Sequence, residues 1–313
     1  MNIDVKSNKL VKFMLLFFVV EIVLAQGASY YLMGTYAYIE LPNENLNYTA
    51  YKYLRGIEMK LSDYVDSSDV SKINLNAGKK FVKVSDITIE AIKNAIEISE
   101  STNGVFDITV GALTINAKRF KKLSEDSARK LINFRDVVIS GDSVMLLKEG
   151  MAIDLGGMGK GFAFEKVFDY LRTSSGFISI GGDMKVWGHK RTLAIKDPIN
   201  GGTLVQMVNS SDVSISTSGN YLRKHIETKD GRIVQVTVAH KNATLADAYA
   251  TALFAMSKDL RDKFLSENND VGVLILYDDG SIFVNNKFRE FFDVMIFKDG
   301  VQHISKTNKD DEK

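Results

Sequence analysis

Cysteine is missing from all 313 residues, which excludes a disulfide scaffold, a thiolate metal centre and a lipid-bearing cysteine behind the N-terminal segment. Proline is nearly as scarce, with two residues. Histidine occurs four times, scattered and without H-x-x-H-like spacing, which argues against a zinc centre. Neither charge sign dominates. The 40 Lys and Arg balance 39 Asp and Glu to a net charge of +1, and the signs are mixed along the chain, against a nucleic-acid-binding surface. The one long apolar run, Phe13 to Val20, is interrupted by Glu21 and is short for a membrane span. Two nucleotide-binding signatures are also absent: neither G-x-x-x-x-G-K-[ST] nor G-x-G-x-x-G occurs at the glycine-rich segment.

What remains is an ordinary folded composition, 45% apolar and 25% charged, enough for one large domain or two moderate ones with a real core. Lys6, Lys9 and Lys12 precede the apolar run, and Val23-x-Ala25 closes it. This arrangement resembles a secretory signal peptide, with a buried first helix as the alternative. Residues 1–28 are therefore expected to be a signal peptide or N-terminal anchor, residues 29–303 the folded domain, and residues 304–313 a charged tail. Export implies a periplasmic location or the outer face of the cytoplasmic membrane, with membrane association through the N-terminus.

Along the domain, alternation predicts a strand over Tyr31–Leu41 and helical spacing follows over Ala50–Leu61. Ser67, Ser68 or Asp69 is placed to cap a short helix. Ser85–Ser101 reads as an amphipathic helix ended by Asn103-Gly104. A further helix is expected over Ser127–Ile132, then a hairpin of Asp136–Ser140 and Val144–Leu147 around Gly141-Asp142. Strands are expected at 177–180, 185–188, 193–196, 202–208, 213–217, 233–239, 271–277 and 281–284, with an apolar helix over Leu245–Met256. Strands and helices mix irregularly, so the fold class is α+β, with mixed sheets and packed helices.

One segment stands out chemically. Asp154-Leu155-Gly156-Gly157-Met158-Gly159-Lys160-Gly161 packs four glycines, a carboxylate and a lysine between the strand-like Val144–Leu147 and a helix from Phe162 to Leu171. A glycine-rich bend at a strand-to-helix join lets backbone N–H groups approach an anion, and Lys160 adds a mobile positive charge. A plain tight turn is the alternative. Asp247 and Thr251, four apart on the apolar helix, share a face and offer a carboxylate and a hydroxyl suited to a hard cation such as Mg²⁺. The alternative there is a helix-end Asp and a Thr bonded back to a carbonyl. Gly181-Gly182-Asp183 and Ser216-Thr217-Ser218-Gly219-Asn220-Tyr221 read as turns that are also able to hold a polar ligand edge.

In order, these pieces resemble the FAD:protein FMN transferase (ApbE-type) family, whose members attach FMN to a Thr or Ser of a target flavoprotein. The resemblance runs from about Met33 to Phe292. It rests on Met33-Gly34-Thr35, Leu61-Ser62-Asp63-Tyr64 with Ser67-Ser68 and Ile73-Asn74, Thr102 through Gly111, Asp154 through Gly161, Ile180 through Asp183, Asp197-Pro198, Ser216 through Tyr221, and Ala246-Asp247 through Phe254. It implies an ApbE-like flavin transferase fold in which Met33, Tyr64, Val105, Phe106, Asp107, Asp154 and Lys160 line a pocket for FAD. It further implies that the Gly157 carbonyl, Asp247 and Thr251 hold Mg²⁺. The implied activity is Mg²⁺-dependent transfer of FMN from FAD, bound as substrate, to an acceptor flavoprotein, with release of AMP.

The chain also departs from that pattern. Family members carry His-x-x-Asp-Pro-x-Thr-Gly after the Thr-Ser-Gly-Asn-Tyr strand, and its His is implicated in catalysis. Here the sequence runs Tyr221-Leu222-Arg223-Lys224-His225-Ile226-Glu227 with no Asp-Pro after it. His225 is either that His with an altered tail, and so the candidate base, or the loop is deleted. Ala112 stands where a Pro is usual, and the aromatic-rich stretch that follows becomes Thr114 through Phe120. Two other functions stay open at this point: a non-catalytic or FAD-sequestering partner in assembly of a redox complex, and hydrolysis of FAD to FMN and AMP.

Overall fold

A computed structural model describes residues 27–220 and 226–304. The chain opens with a hairpin, β1 (Ala28–Leu32) and β2 (Thr35–Glu40), then α1 (Glu44–Leu61), α2 (Asp69–Leu75), β3 (Val82–Lys83) and α3 (Asp86–Ser101). A π-helix over Ala112–Arg119 leads to α4 (Glu125–Arg129), β4 (Val137–Ser140) and β5 (Ser143–Leu146). After α5 (Gly159–Leu171) come β6 (Gly176–Ile180), β7 (Asp183–Trp187), β8 (Thr192–Lys196), β9 (Thr203–Asn209), β10 (Val213–Gly219) and β11 (Ile233–His240). Two helices, α6 (Ala243–Ala255) and α7 (Lys258–Glu267), precede β12 (Gly272–Tyr277), β13 (Ile282–Val284), α8 (Asn286–Glu290), β14 (Phe292–Phe297) and β15 (His303–Ile304).

The strands form one long sheet in the order β1-β2-β6-β7-β10-β11-β12-β13-β15 and two small ones, β14-β9-β8 and β3-β5-β4. Every pairing of the long sheet is antiparallel except β13 with β15. Its two faces are both covered, which explains why β12 is buried at every position. One face carries α1, α3, α5 and α6 over a core that includes Ile39, Leu54, Ile92, Phe162, Val238 and Leu253. The other is covered by β8, β9 and β14 through Phe177, Leu193, Met207, Ile215 and Phe288. This α+β architecture is the expected fold class.

Local chemistry places the helices. Asn43, Ser68 and Asn242 each accept a backbone N–H at the start of α1, α2 and α6. Asp69 goes further, accepting from the Ser85 N–H, the Ser85 hydroxyl and the Thr88 hydroxyl, and so fastens the start of α3 to α2.

Three expectations need correction. The strand predicted over Tyr31–Leu41 is two strands, because Met33 (φ 52°) and Gly34 (φ 72°) form a two-residue turn with both residues left-handed. A methionine at positive φ leaves no signature in the alternation. The helix expected over Ser127–Ile132 lies instead at Glu125–Arg129, capped by Ser124. The glycine-rich segment does not follow its strand directly either. Leu146 ends β5 in a separate small sheet, and Ala152 then bridges Val110 before the bend begins.

Of the expected leader or anchor, residues 1–26 lie outside the described residues, as do residues 305–313 of the expected tail. Among the described residues no helix is long and apolar enough to cross a membrane.

Candidate active site at the start of helix α5

The start of α5 has no side-chain cap of its own, with Met158 at the cap position. The Gly161 N–H donates instead to Asp247 Oδ2 on α6, at 3.0 Å. Glycine is required there. A Cβ at position 161 would lie 2.0 Å from the Ala243 carbonyl oxygen and 2.9 Å from Asp247 Cβ. The bare glycine thus lets two helices approach closely enough for a carboxylate of one to serve the N-terminus of the other.

Lys160 sits between two buried carboxylates. Its Nζ is 2.9 Å from Asp183 Oδ2 and 3.7 Å from Asp247 Oδ1. Asp183 follows the Gly181-Gly182 turn, whose φ values of 61° and 101° suit glycine and form the tight β6–β7 hairpin. Its second oxygen accepts from Ser216 Oγ at 2.6 Å and from the Thr217 N–H at 3.1 Å. Ser216 Oγ is also 3.3 Å from Asp247 Oδ1, so hydroxyl, lysine and both carboxylates form one network.

The electrostatics follow from burial. Burial, opposed by the Lys160 charge and reinforced by that of Asp183, pushes the Asp247 carboxyl up to about 6. Burial works against charging Lys160, but Asp183 and Asp247 outweigh it and raise its pKa, so the ammonium persists. Two carboxylates against one ammonium leave a site with room for further positive charge.

Thr251, one turn beyond Asp247, places Oγ1 3.5 Å from the Gly157 carbonyl oxygen and 3.2 Å from Ser218 Oγ. A Cβ at Gly157 would press on Phe106 Cε2 at 3.1 Å and on the Thr251 side chain at 3.4 Å. Thr251 Oγ1 and the Gly157 carbonyl oxygen thus lie together, one helical turn from Asp247, and all three groups offer oxygen, the donor type a hard cation takes. Among the described residues no group of three or more His, Cys, Asp or Glu is placed to hold a metal. A cation here would rest on one carboxylate and neutral oxygens.

Asp154 shapes the bend itself. One oxygen accepts the Gly156 N–H at 2.8 Å, and the other accepts the Thr114 hydroxyl of the π-helix at 2.8 Å. Asp63 lies near enough for the Asp154 charge to matter. Burial and Asp154 push its carboxyl up, while Arg119 pulls it down.

The other expected pocket residues fall into place unevenly. Met33 occupies the β1–β2 turn, Phe106 is buried against the glycine-rich bend, and Tyr64 is exposed beneath Arg119. Val105 and Asp107 lie in the segment leading to the π-helix. Asp107 accepts from the Thr109 N–H and hydroxyl and from the Phe134 N–H, so its carboxylate is spent on holding that segment together. His225 lies outside the described residues. The sequence offers Asp183, Ser216 and Ser218 only within turns also able to hold a polar ligand edge, and Thr114 and Arg119 only within a stretch that departs from the family pattern, with no role for any of them singly. A glycine pair followed by Asp, and a run of hydroxyls ending a strand, were the available signals.

A half-buried lysine between two buried carboxylates, with oxygen donors beside it at a helix start, suits an α+β protein that handles a phosphate-bearing ligand. The ApbE family model matches residues 33–275, and the chain belongs to the ApbE family. It is 26% identical over 279 residues to a FAD:protein FMN transferase of Vibrio cholerae, covering 77% of this chain and 82% of that protein. A FAD:protein FMN transferase of Klebsiella pneumoniae is 24% identical, with 82% and 91% covered. Among solved structures, flavin transferase ApbE from Vibrio cholerae superimposes with a TM-score of 0.74 at 25% identity, covering 85% of this chain and 99% of that one. The ApbE protein of Thermotoga maritima gives the same TM-score of 0.74 over the same shares.

Proposed function

We propose that this chain is an FAD:protein FMN transferase, moving FMN from FAD to a Thr or Ser hydroxyl of a target flavoprotein with release of AMP. The observation that carries the reading is the Lys160 ammonium held by Asp183 and Asp247 at the start of α5. Together with family membership and the transferase names of its relatives, it favours a site for the FAD pyrophosphate.

The reaction forms one P–O bond, from the acceptor oxygen to the FMN-side phosphorus, and breaks the P–O bond to the AMP phosphate. Lys160 would neutralise non-bridging oxygens as charge builds on the leaving phosphate. Asp183, itself held by the Ser216 hydroxyl, keeps that ammonium in place, and Asp154 keeps the bend from opening. Asp247, the Thr251 hydroxyl and the Gly157 carbonyl would hold Mg²⁺, which when bound supplies charge neutralisation at the pyrophosphate. The hydroxyl proton needs a positioned base. His225 is the residue that the sequence offers for that role. The basic and apolar N-terminal segment supports export, with the domain acting in the periplasm or at the outer face of the cytoplasmic membrane, where an acceptor flavoprotein would meet it.

The test is direct. Full-length chain is incubated with FAD, Mg²⁺ and an acceptor domain bearing a flavinylation threonine, and acceptor mass and free AMP are followed. An FMN-sized gain with matching AMP supports transfer. AMP without a mass gain identifies hydrolysis, and bound FAD with neither product identifies a flavin-binding partner.

A further inference from the structure

We infer that Arg119 is a positioning residue that fixes the plane of Tyr64 as a stacking platform for a ring of the bound dinucleotide. The guanidinium carbon lies 3.8 Å from the Tyr64 ring centroid, while Nη2 pairs with Asp63 Oδ2 at 2.5 Å. One side chain thus grips two consecutive residues of the turn after α1. Tyr64 needs that grip. It is 73% exposed, and on a turn such a ring has no packing to hold its rotamer. The Asp63 side chain, by contrast, is only 12% exposed and that of Arg119 25%, so the pair beneath the ring is anchored and one face of the tyrosine stays open.

The same π-helix reaches the phosphate side of the site. Thr114 donates to Asp154, which bonds the glycine-rich bend, and Arg119 leaves the last turn toward Tyr64. A single segment therefore links the bend to the aromatic platform. π-Helical turns are rare and concentrate at functional sites. The planar fork of arginine stacks and pairs at once, which a lysine ammonium cannot do. Fixing the ring before binding removes an ordering cost that the ligand would otherwise carry.

The inference rests on the reading of Tyr64 as part of the FAD pocket, and the experiment separates the two. FAD, FMN and AMP are titrated separately by calorimetry into the full chain and into R119Q, R119K, Y64A and the paired variant D63N/R119Q. The paired variant removes both charges and keeps the fold if R119Q alone leaves Asp63 uncompensated. The expected result is an FAD affinity weakened about tenfold in R119Q and in the paired variant. Only one of FMN and AMP should share that loss, because a merely structural defect would weaken both. R119K should not restore the affinity. Wild-type FAD affinity in both R119Q and the paired variant, with Y64A still weakened, would overturn the positioning role while leaving the site reading intact. Full rescue by R119K would overturn it as well, by reducing the effect to charge. If Y64A itself binds FAD normally, the assignment of Tyr64 falls, and the role of Arg119 with it.

Discussion

Replacing Lys160 by methionine removes the cation between Asp183 and Asp247 and keeps the unbranched apolar stem of the side chain. The two carboxylates then face each other with Ser216, the Thr217 N–H and the Gly161 N–H as remaining donors. Breaking a buried ion pair costs about 3–5 kcal/mol. The Lys160 side chain is 27% exposed, which places the loss near the lower end, about 3 kcal/mol. At about 2–4 °C per kcal/mol for a domain of this size, the metal-free variant should melt about 6–12 °C below wild type at pH 8. The loss must shrink in acid. Without Lys160 the Asp247 carboxyl, already at about 6, rises further, and protonation relieves the repulsion as pH falls through that value. FAD affinity should drop about 30-fold, the equivalent of one charge-assisted hydrogen bond of about 2 kcal/mol. Thermal melts at pH 8 and pH 5 and an FAD titration measure all three. Equal melting at both pH values with unchanged FAD affinity would refute the network as drawn.

Four further outcomes are expected. For Asp247→Asn, the folded-state pKa of about 6 lies above the ordinary 3.8, so ionisation penalises the metal-free fold above pH 6 and the penalty vanishes below pH 4. The stability gap between variant and metal-free wild type should therefore move in favour of the variant by about 3 kcal/mol from pH 4 to pH 7, read by urea unfolding. Thr251→Val, which keeps the shape and removes the hydroxyl, should raise the Mg²⁺ concentration needed for half-maximal AMP release by about tenfold or more. Gly161→Ala meets the Ala243 carbonyl at 2.0 Å and should cost about 3 kcal/mol by pushing α5 and α6 apart. Asp197 is driven upward by burial, but the Asn200 and Ile199 N–H groups and the Lys298 ammonium hold it down at about 2. Its contribution is complete above pH 4 and lost as pH falls through 2, so Asp197→Asn should cost about 2 kcal/mol at pH 7 and little near pH 2.

Much of the fold was legible because its signals are local. The amphipathic stripe of α3, the β4–β5 hairpin around Gly141 and the apolar run of α6 are all written in neighbouring residues. The β1–β2 turn was not, since Gly34 alone marks it and its first residue, Met33 at φ 52°, is not a turn former. The π-helix was hidden for a different reason: a stretch such as Ala112–Arg119 has no periodic pattern that separates it from loop or α-helix. For the site, Lys160, Asp154, Asp247 and Thr251 stood out by composition and spacing, and the Gly157 carbonyl through the family resemblance. Asp183 did not. Its importance lies in contacts with Lys160, Ser216 and Thr217, more than 20 residues away in each case, and a glycine pair followed by Asp reads as a turn able to hold a polar ligand edge without naming those partners. Arg119 likewise meets Asp63 across 56 residues, a separation that no local pattern encodes.

The central claim is that the glycine-rich bend, Lys160 and the Asp247–Thr251 face of α6 form the site for the pyrophosphate of FAD and its cation. A crystal grown with FAD and Mn²⁺, with anomalous diffraction recorded at the manganese edge, tests this most directly. The account predicts an anomalous peak bound by Asp247, Thr251 and the Gly157 carbonyl, with the FAD pyrophosphate beside Lys160. Manganese bound elsewhere, or FAD bound with its phosphates away from the start of α5, would contradict it.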